Sequence, residues 1–455
     1  MSAALTGMPA PAAMRRGACP ALSAPMQTGD GLLVRLALAE GGMTPAQLAA
    51  LCESAGRHGN GIVEVTARGS FQIRGLTPAS APPLEADVAA LGLPLRGGVP
   101  VETSPLAGLD PAEAADPLPL VRAIRAAAEG AGLSRRLGPK VSVVVDAGGT
   151  VALSDILADV RLAALRRDGG VLWRLSIGGD ARTAKPVIAL AERDAVAAAV
   201  AVLEAISARG MSARARDLPP SALPDISPTG VEIGCPDGLR RSLTSPEKSG
   251  GCGRPISFLA GEMSGRTEGG DVARQPPARS AMLPLADSRL ALAVALPFGS
   301  MEAAGLAAFA RRAARHGVAD IRLAPGRSLI LLCPSQAAAR SVADAARSHG
   351  LILDAADPRR AIAACPGAPA CASGRLATRA LALGLAARGG SGASIHVSGC
   401  AKGCAHPTPA GLVLVGTDAG IALVRNGRAA DAPEAIFPDA DTALAALATL
   451  PDPAE

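Results

Sequence analysis

The sequence predicts an α+β protein in which one strand-helix-strand-strand-helix unit is built twice, each copy followed by a longer stretch of mixed helices and strands. Three observations carry this prediction. A segment beginning at Met43 recurs 258 residues later, at Met301. Within each copy the apolar pattern switches between a period of two and a period of about 3.6 residues. A tract dense in Pro, Gly, Ser and Arg, without periodicity, separates the halves.

The repeat is read residue by residue. Met43, Leu48, Arg57, His58 and Gly59 return in step as Met301, Leu306, Arg315, His316 and Gly317, and Arg68-Gly69-Ser70 answers Arg327-Ser328 after a one-residue shift. The first copy, residues 20–95, reads as a strand at 32–39 and a helix at 44–57 with Leu48, Leu51 and Ala55 at helical spacing. Val63, Val65, Phe71 and Ile73 alternate over two strands joined by a turn at Gly69, and residues 83–92 close the unit as a helix. Residues 96–211 follow with a helix near 117–131, strands at 141–146, 150–153 and 172–177, and an Ala/Val-rich helix at 187–207. Residues 212–285 read as an irregular linker. The second copy, 286–355, repeats the order with a strand at 290–296, a helix at 301–316, strands at 319–323 and 328–333, and a helix at 335–349, and is expected to pair with the first. Residues 356–455 end the chain with a helix at 374–387, strands at 394–398, 411–416 and 420–425, and a helix at 441–449.

Composition narrows the function classes. With 49% hydrophobic residues but five Phe, one Trp (Trp173) and no Tyr, the core must be Ala, Leu and Val, and stacking platforms for single-stranded nucleic acid are lacking. The net charge is +5, and only four of the 45 basic residues are Lys. Codon bias accounts for such an excess of Arg; so does a need for guanidinium forks that grip carboxylates or phosphates bidentately. No polybasic run exists, so neither nucleic acid nor a membrane surface is an expected partner. No apolar stretch approaches the roughly 18 residues of a membrane span. Arg15-Arg16 lacks the apolar core of an export signal, and nine cysteines without a framework of close pairs suit ligation in a reducing compartment, so a cytoplasmic location is expected.

The cysteines carry the chemistry. Cys365 and Cys371 form C-x5-C, and 28 residues later Cys400 and Cys404 form C-x3-C. Four soft thiolates suit an iron-sulfur cluster or zinc, but structural zinc sites favour tighter knuckles than the five-residue gap, so a [4Fe-4S] cluster is the expected cofactor. Gly367, Gly399 and Gly403 leave backbone N–H groups free to approach the sulfurs. Cys52 and Cys333 fall on apolar faces and read as core, Cys235 and Cys252 lie in the linker as a labile pair, and Cys19 reads as a buried thiol or a stray ligand.

A doubled unit of this order with late C-x5-C and C-x3-C resembles the sulfite and nitrite reductase superfamily over nearly the whole chain outside the linker. That resemblance implies ferredoxin-like half-domains related by a pseudo-twofold, each followed by a sirohaem/Fe-S-type α+β domain, with Cys404 nearest the reaction centre. Arg16-Gly-Ala-Cys19-Pro with Asp30-Gly-Leu-Leu-Val-Arg35, Ser104-Pro-Leu-Ala-Gly-Leu-Asp110 and Val397-Ser-Gly-Cys-Ala-Lys-Gly-Cys-Ala-His-Pro407 are most similar to the precorrin-3B synthases of aerobic cobalamin biosynthesis. Membership would imply O2-dependent hydroxylation of precorrin-3A at C20 with closure of a lactone by the ring A acetate. It would also imply a mononuclear non-haem iron beside the cluster, with the tetrapyrrole as substrate. Two departures separate the chain from the reductases. Their Lys-x-Lys pair is matched here by Arg136-Leu137-Gly138, and the arginine they carry before Ser-Pro-Leu-Ala is replaced near Val99-Pro100, with Arg96 close by.

A polycarboxylate substrate needs fixed cations, and Arg68, Arg136 and Arg327 are the candidates, Arg68 and Arg327 because the resemblance places a macrocycle-binding arginine on that repeat element. Among the histidines, His58, His316 and His349 end helices and read as structural; His396 reads as a satisfied strand residue. His406, two residues after Cys404, is the candidate for an oxygen or iron site, with Asp155 and Asp159 as candidate carboxylates. The expected partners are precorrin-3A, O2 and an external donor, NADH through a reductase or a ferredoxin, since no G-x-G-x-x-G follows a strand. The alternatives are a sirohaem-dependent sulfite or nitrite reductase and a non-catalytic Fe-S or tetrapyrrole-binding protein.

Overall fold

The computed structural model describes residues 20–448 apart from 152, 168, 219–281, 390–393 and 407. The first repeat contains β1 (Met26–Thr28), β2 (Gly31–Leu36), α1 (Pro45–His58), β3 (Ile62–Val65), β4 (Phe71–Leu76) and α2 (Ala81–Ala90). Helix α1 starts where Thr44 and Gln47 cap each other reciprocally ahead of Pro45, so the orphan N–H groups of its first turn find acceptors. A second segment adds β5 (Val101–Glu102), α3 (Leu118–Gly130), α4 (Leu133–Arg136), β6 (Val143–Asp146), β7 (Ala158–Arg167), β8 (Gly170–Gly179), β9 (Lys185–Leu190) and α5 (Glu192–Ser207).

The second repeat comprises β10 (Met282–Pro284), β11 (Leu290–Ala295), β12 (Ser300–Glu302), α6 (Ala303–Arg315), β13 (Asp320–Ala324), β14 (Ser328–Cys333) and α7 (Gln336–Ser348). The last segment carries α8 (Pro358–Ala361), β15 (Ile362–Ala364), α9 (Thr378–Ala387), β16 (Ile395–Ser398), β17 (Ala410–Thr417), β18 (Gly420–Gly427), β19 (Ala435–Phe437) and α10 (Ala440–Leu447).

The repeats interlock. Met301 in β12 pairs with Val63 in β3, and Met43 bridges Ile321 in β13, so these two contacts are images of each other under the 258-residue offset. Helices α1 and α6 lie against each other, and a single core joins Leu48, Phe71 and Ile73 of one repeat to Leu306, Phe309 and Leu331 of the other. Each such side chain, once buried, contributes about 1.5–3 kcal/mol. The two longer segments also repeat one topology. Their sheets run β5-β6-β7-β8-β9 and β15-β16-β17-β18-β19, with the first three strands parallel and the rest antiparallel.

Three expectations need correction. Strand β7 is not legible in the sequence because Arg161 interrupts its apolar run; the guanidinium is buried and donates to the carbonyls of Leu153 and Ile156. Of the strand expected at 150–153, the described residues Thr150, Val151 and Leu153 are not extended into one, and Thr150 N–H donates to Asp110 instead. The helix predicted from 187 begins at Glu192, because Pro186, Val187 and Ile188 extend as β9 beside β8. The ends of the predicted linker are ordered as a 3-10 turn at Ala215–Asp217 and as β10. Cys19, Cys235 and Cys252 lie outside the described residues, while Cys52 and Cys333 are buried core thiols.

Candidate functional site

One cavity of about 1370 Å³ opens where all four segments meet. Its cysteine wall follows from strand direction. Because β15 and β16 run parallel, with Ala364 opposite Val397, their carboxyl ends deliver Cys365 and Cys400 to the same edge. Cys371 arrives on the loop before α9, and Cys404 one turn beyond Cys400; all four are free thiols that line the cavity.

The glycines make this crowding feasible. A Cβ on Gly399 would lie 3.1 Å from Gly367 Cα, 3.2 Å from Gly374 Cα and 3.5 Å from Cys365 Sγ. The bare backbone there lets Gly399 N–H donate to Cys365 Sγ at 3.1 Å. Burial, reinforced by the facing Cys400, Cys365 and Cys371, raises the Cys404 thiol above its ordinary pKa. No group of three or more His, Cys, Asp or Glu among the described residues is close enough to hold a single metal ion. Four thiols on one wall, not grouped to grip one ion, with the Gly399 N–H aimed at Cys365 Sγ, form a donor set that fits a cluster.

The remaining walls are cationic. Ten Arg and Lys side chains line the cavity against three carboxylates, Glu64, Glu102 and Asp159. Arg68 sits in the turn before β4 and reaches Glu102 at 3.1 Å, Ser142 Oγ at 3.3 Å and the Leu157 carbonyl at 2.9 Å. Its counterpart Arg327 occupies the matching turn, and the two turns touch through Gly326 N–H and the Ala67 carbonyl. Arg327 has φ +61°, a left-handed conformation unusual for a non-glycine residue. A Cβ on Gly299 would come within 2.7 Å of Arg327 Cδ, so only glycine seats this side chain. Among the described residues Arg327 forms no ion pair, and burial, with Arg379 nearby, pulls its pKa below the ordinary arginine value.

Not every expected residue reaches the cavity. Arg136 does not: Leu133 and Leu137 turn into the core, which leaves Arg136 exposed at the end of α4, 3.4 Å from the Ala131 carbonyl. The pair spaced two apart that does line the wall is Lys140 and Ser142. His406 also stands off the wall; its Nε2 lies 3.0 Å from Thr408 Oγ1, and its ring centroid is 5.8 Å from that of His396. His396 is not the satisfied strand residue expected. It is 0% exposed, neither ring nitrogen has a hydrogen-bond partner among the described residues, and burial followed by His406 and Arg327 pushes its pKa down to about 4. Asp155 is exposed beside Arg182, and Asp159 is held by Arg214 at 2.9 Å. His58 pairs with Asp87 at 2.9 Å, and His349 bonds the Ala345 carbonyl at 2.8 Å, both within the scaffold.

Sequence reading missed the polar face of the first sheet. Arg35, Gln72 and Glu64 lie directly opposite one another on β2, β4 and β3, and Arg74 follows Gln72 on the same face. The signal was present as period-two alternation of Gln72 and Arg74 with Phe71 and Ile73. Arg35 donates to Gln72 Oε1 at 2.7 Å, and Gln72 donates to Glu64 at 2.8 Å.

Comparisons with known proteins agree with this arrangement. The family model for the nitrite/sulfite reductase ferredoxin-like half domain matches residues 24–91, which hold β1 through α2. The structure of Mycobacterium tuberculosis NirA protein superposes with a TM-score of 0.62 over 86% of this chain and 74% of that one; at 19% identity this likeness shows a shared fold. A precorrin-3B synthase from Sinorhizobium sp is 39% identical over 450 residues, 96% of this chain and 89% of that protein. Similarity at that level along almost the full length of both proteins shows that the chain belongs to the precorrin-3B synthase family, within the sulfite/nitrite reductase superfamily.

Proposed function

We propose that the chain is an O2-dependent monooxygenase of cobalamin biosynthesis that converts precorrin-3A to precorrin-3B, with a [4Fe-4S] cluster on Cys365, Cys371, Cys400 and Cys404. The observation that carries this reading is the single cavity in which a four-thiol wall faces an excess of cations. Small-molecule sites typically enclose about 300–1,000 Å³; a volume of about 1370 Å³ suits a macrocycle. Fixed guanidiniums suit its many carboxylates.

The chain's own residues would bind and orient. Arg327 and Lys140, which form no ion pair among the described residues, are the cations best able to accept a substrate carboxylate without first releasing an internal partner. Arg68, tied to Glu102, fixes the position of its turn and keeps Nη2 at the wall. A macrocycle held by its rim carboxylates presents one meso carbon toward the cysteine wall and excludes water from it. The cluster, when bound, supplies electrons one at a time.

The balance needs O2 and two electrons from an external donor, NADH through a reductase or a ferredoxin. One oxygen atom becomes the C20 hydroxyl and the other leaves as water, while the ring A acetate closes a lactone at the adjacent carbon. A mononuclear iron fits less well. It calls for about two His and one carboxylate, and His396 and His406 have no carboxylate beside them among the described residues, so no step is routed through it.

The test is anaerobic purification with iron, sulfide and pigment analysis, then product mass under 18O2. Four irons and four sulfides per chain, no bound tetrapyrrole, and a product carrying one labelled oxygen are expected. A tightly bound sirohaem with strong red absorption supports a sulfite or nitrite reductase instead, and a reducible cluster without O2 uptake supports a non-catalytic binding protein.

A further inference from the structure

We propose that Arg74, on the first repeat, is a positioning residue for the Cys365–Cys371 loop, so that the surroundings of the cluster are set by the opposite half of the molecule. This rests on the cluster reading above. Arg74 is 4% exposed and holds two elements together. Its Nε and Nη2 donate to the two carboxylate oxygens of Asp30 at 3.1 and 2.9 Å, and Nη1 approaches Glu64 at 3.5 Å. Its Nη2 also donates to the Ala370 carbonyl at 2.9 Å, one residue before Cys371 and 296 residues away in the chain.

Two independent contacts fix the same loop. A Cβ on Gly29 would lie 2.2 Å from Ala372 N and 2.5 Å from the carbonyl carbon of Cys371, so the turn next to Asp30 packs backbone to backbone against the ligand. Glu64, which faces Arg74, pairs through its other oxygen with Arg379 on the first turn of α9, and the neighbouring Thr378 hydroxyl donates to the Cys365 carbonyl. The loop is thus held on both sides of its cysteines by the Arg74, Asp30 and Glu64 group.

The consequence is both electrostatic and mechanical. A buried guanidinium next to the Cys371 backbone favours the more negative, reduced cluster, as hydrogen bonds and net charge around the sulfurs do in general. Lysine keeps the charge but has no planar fork with which to reach Asp30 and the Ala370 carbonyl together. The charge and the clamp are therefore separable.

The experiment uses the full chain with and without its cluster, comparing wild type with Arg74→Gln and Arg74→Lys. In the holoprotein, redox titration followed by EPR should show the reduced-to-oxidised ratio of R74Q fall about tenfold at the wild-type midpoint, about 59 mV for one electron, with R74K within threefold of wild type. In the cluster-free protein, Cys371 should alkylate at least tenfold faster in both variants while buried Cys52 stays protected, which also reports that the chain remains folded. An R74Q holoprotein with wild-type midpoint and EPR signal, or unchanged Cys371 alkylation in both variants, overturns the proposal. A wild-type chain that takes up no iron and sulfide overturns the cluster reading instead, and the alkylation arm still decides whether Arg74 clamps the loop.

Discussion

Replacing Arg327 with Asn should move binding and stability in opposite directions. Arg327 holds a left-handed backbone at φ +61°, is half-buried, and forms no ion pair among the described residues. A non-glycine residue in that region costs about 1–3 kcal/mol, and Asn is several-fold enriched there. The substitution also removes a partly desolvated charge that no carboxylate among the described residues pairs with. Against these gains stands the aliphatic stem lodged over Gly299, whose Cγ and Cδ methylenes are lost at about 0.8 kcal/mol each when fully buried, or about 1.6 kcal/mol at most. The expected net is no destabilisation and up to about 1 kcal/mol of stabilisation. Binding goes the other way, since a charge-assisted hydrogen bond contributes about 1.5–3 kcal/mol, or about 10- to 150-fold in affinity. Urea unfolding of the cluster-free chain and absorbance titration with a soluble polycarboxylate porphyrin read the two quantities. Destabilisation beyond 1 kcal/mol, or affinity within twofold of wild type, would show that Arg327 serves the scaffold rather than the ligand.

Other expectations follow from the same geometry. Cys371→Ser and Cys400→Ser should each lower bound iron and sulfide to less than half the wild-type content while leaving far-UV circular dichroism unchanged; full iron content in either would remove that thiol from the ligand set. Lys140→Ala should weaken binding of the porphyrin probe about tenfold, the effect of one charge-assisted contact, whereas Arg136→Ala, on the exposed end of α4, should leave it unchanged. Glu113 is 8% exposed, and its Oε1 has no hydrogen-bond partner among the described residues. Burial, then the nearby Asp110, Asp116 and Asp146, raises its pKa to about 7 from 4.5. The folded state therefore binds the extra proton, and stability should fall as pH rises from 4.5 to about 7. Glu113→Gln should remove that slope and be the more stable form at pH 8; an unchanged slope in urea melts across this window would refute the assignment.

Legibility in the sequence tracked the range of the interactions. The repeat, α1, α6 and α7, and strands β2, β11 and β14 were readable because capping, turn glycines and apolar period are local signals. Strand β7 was not, since Arg161 looks solvent-bound until its carbonyl partners at Leu153 and Ile156 are in place. Spacing singled out the four cysteines as candidates, and the repeat singled out Arg68 and Arg327; all six line the cavity. Arg136 was misplaced because the sequence reading did not find the short α4, whose roll on the core is decided by the buried Leu133 and Leu137. His396 was underrated for a related reason. Its isolation depends on β15 and β17 closing over it from both sides, and both strands are remote in sequence.

What the sequence by itself determined is the doubled unit, the thiolate spacing and the supply of guanidiniums, since each is written in residue type and short-range order. What only the tertiary structure decided is which of the guanidiniums lining the cavity are spent on internal carboxylates and which are not. Arg74 and Arg214 find Asp30 and Asp159 within hydrogen-bond distance, whereas Arg327 pairs with no carboxylate among the described residues. The physical reason is that ion pairing falls off within a few ångströms, and which charges come that close depends on strands and loops drawn together from opposite ends of the chain.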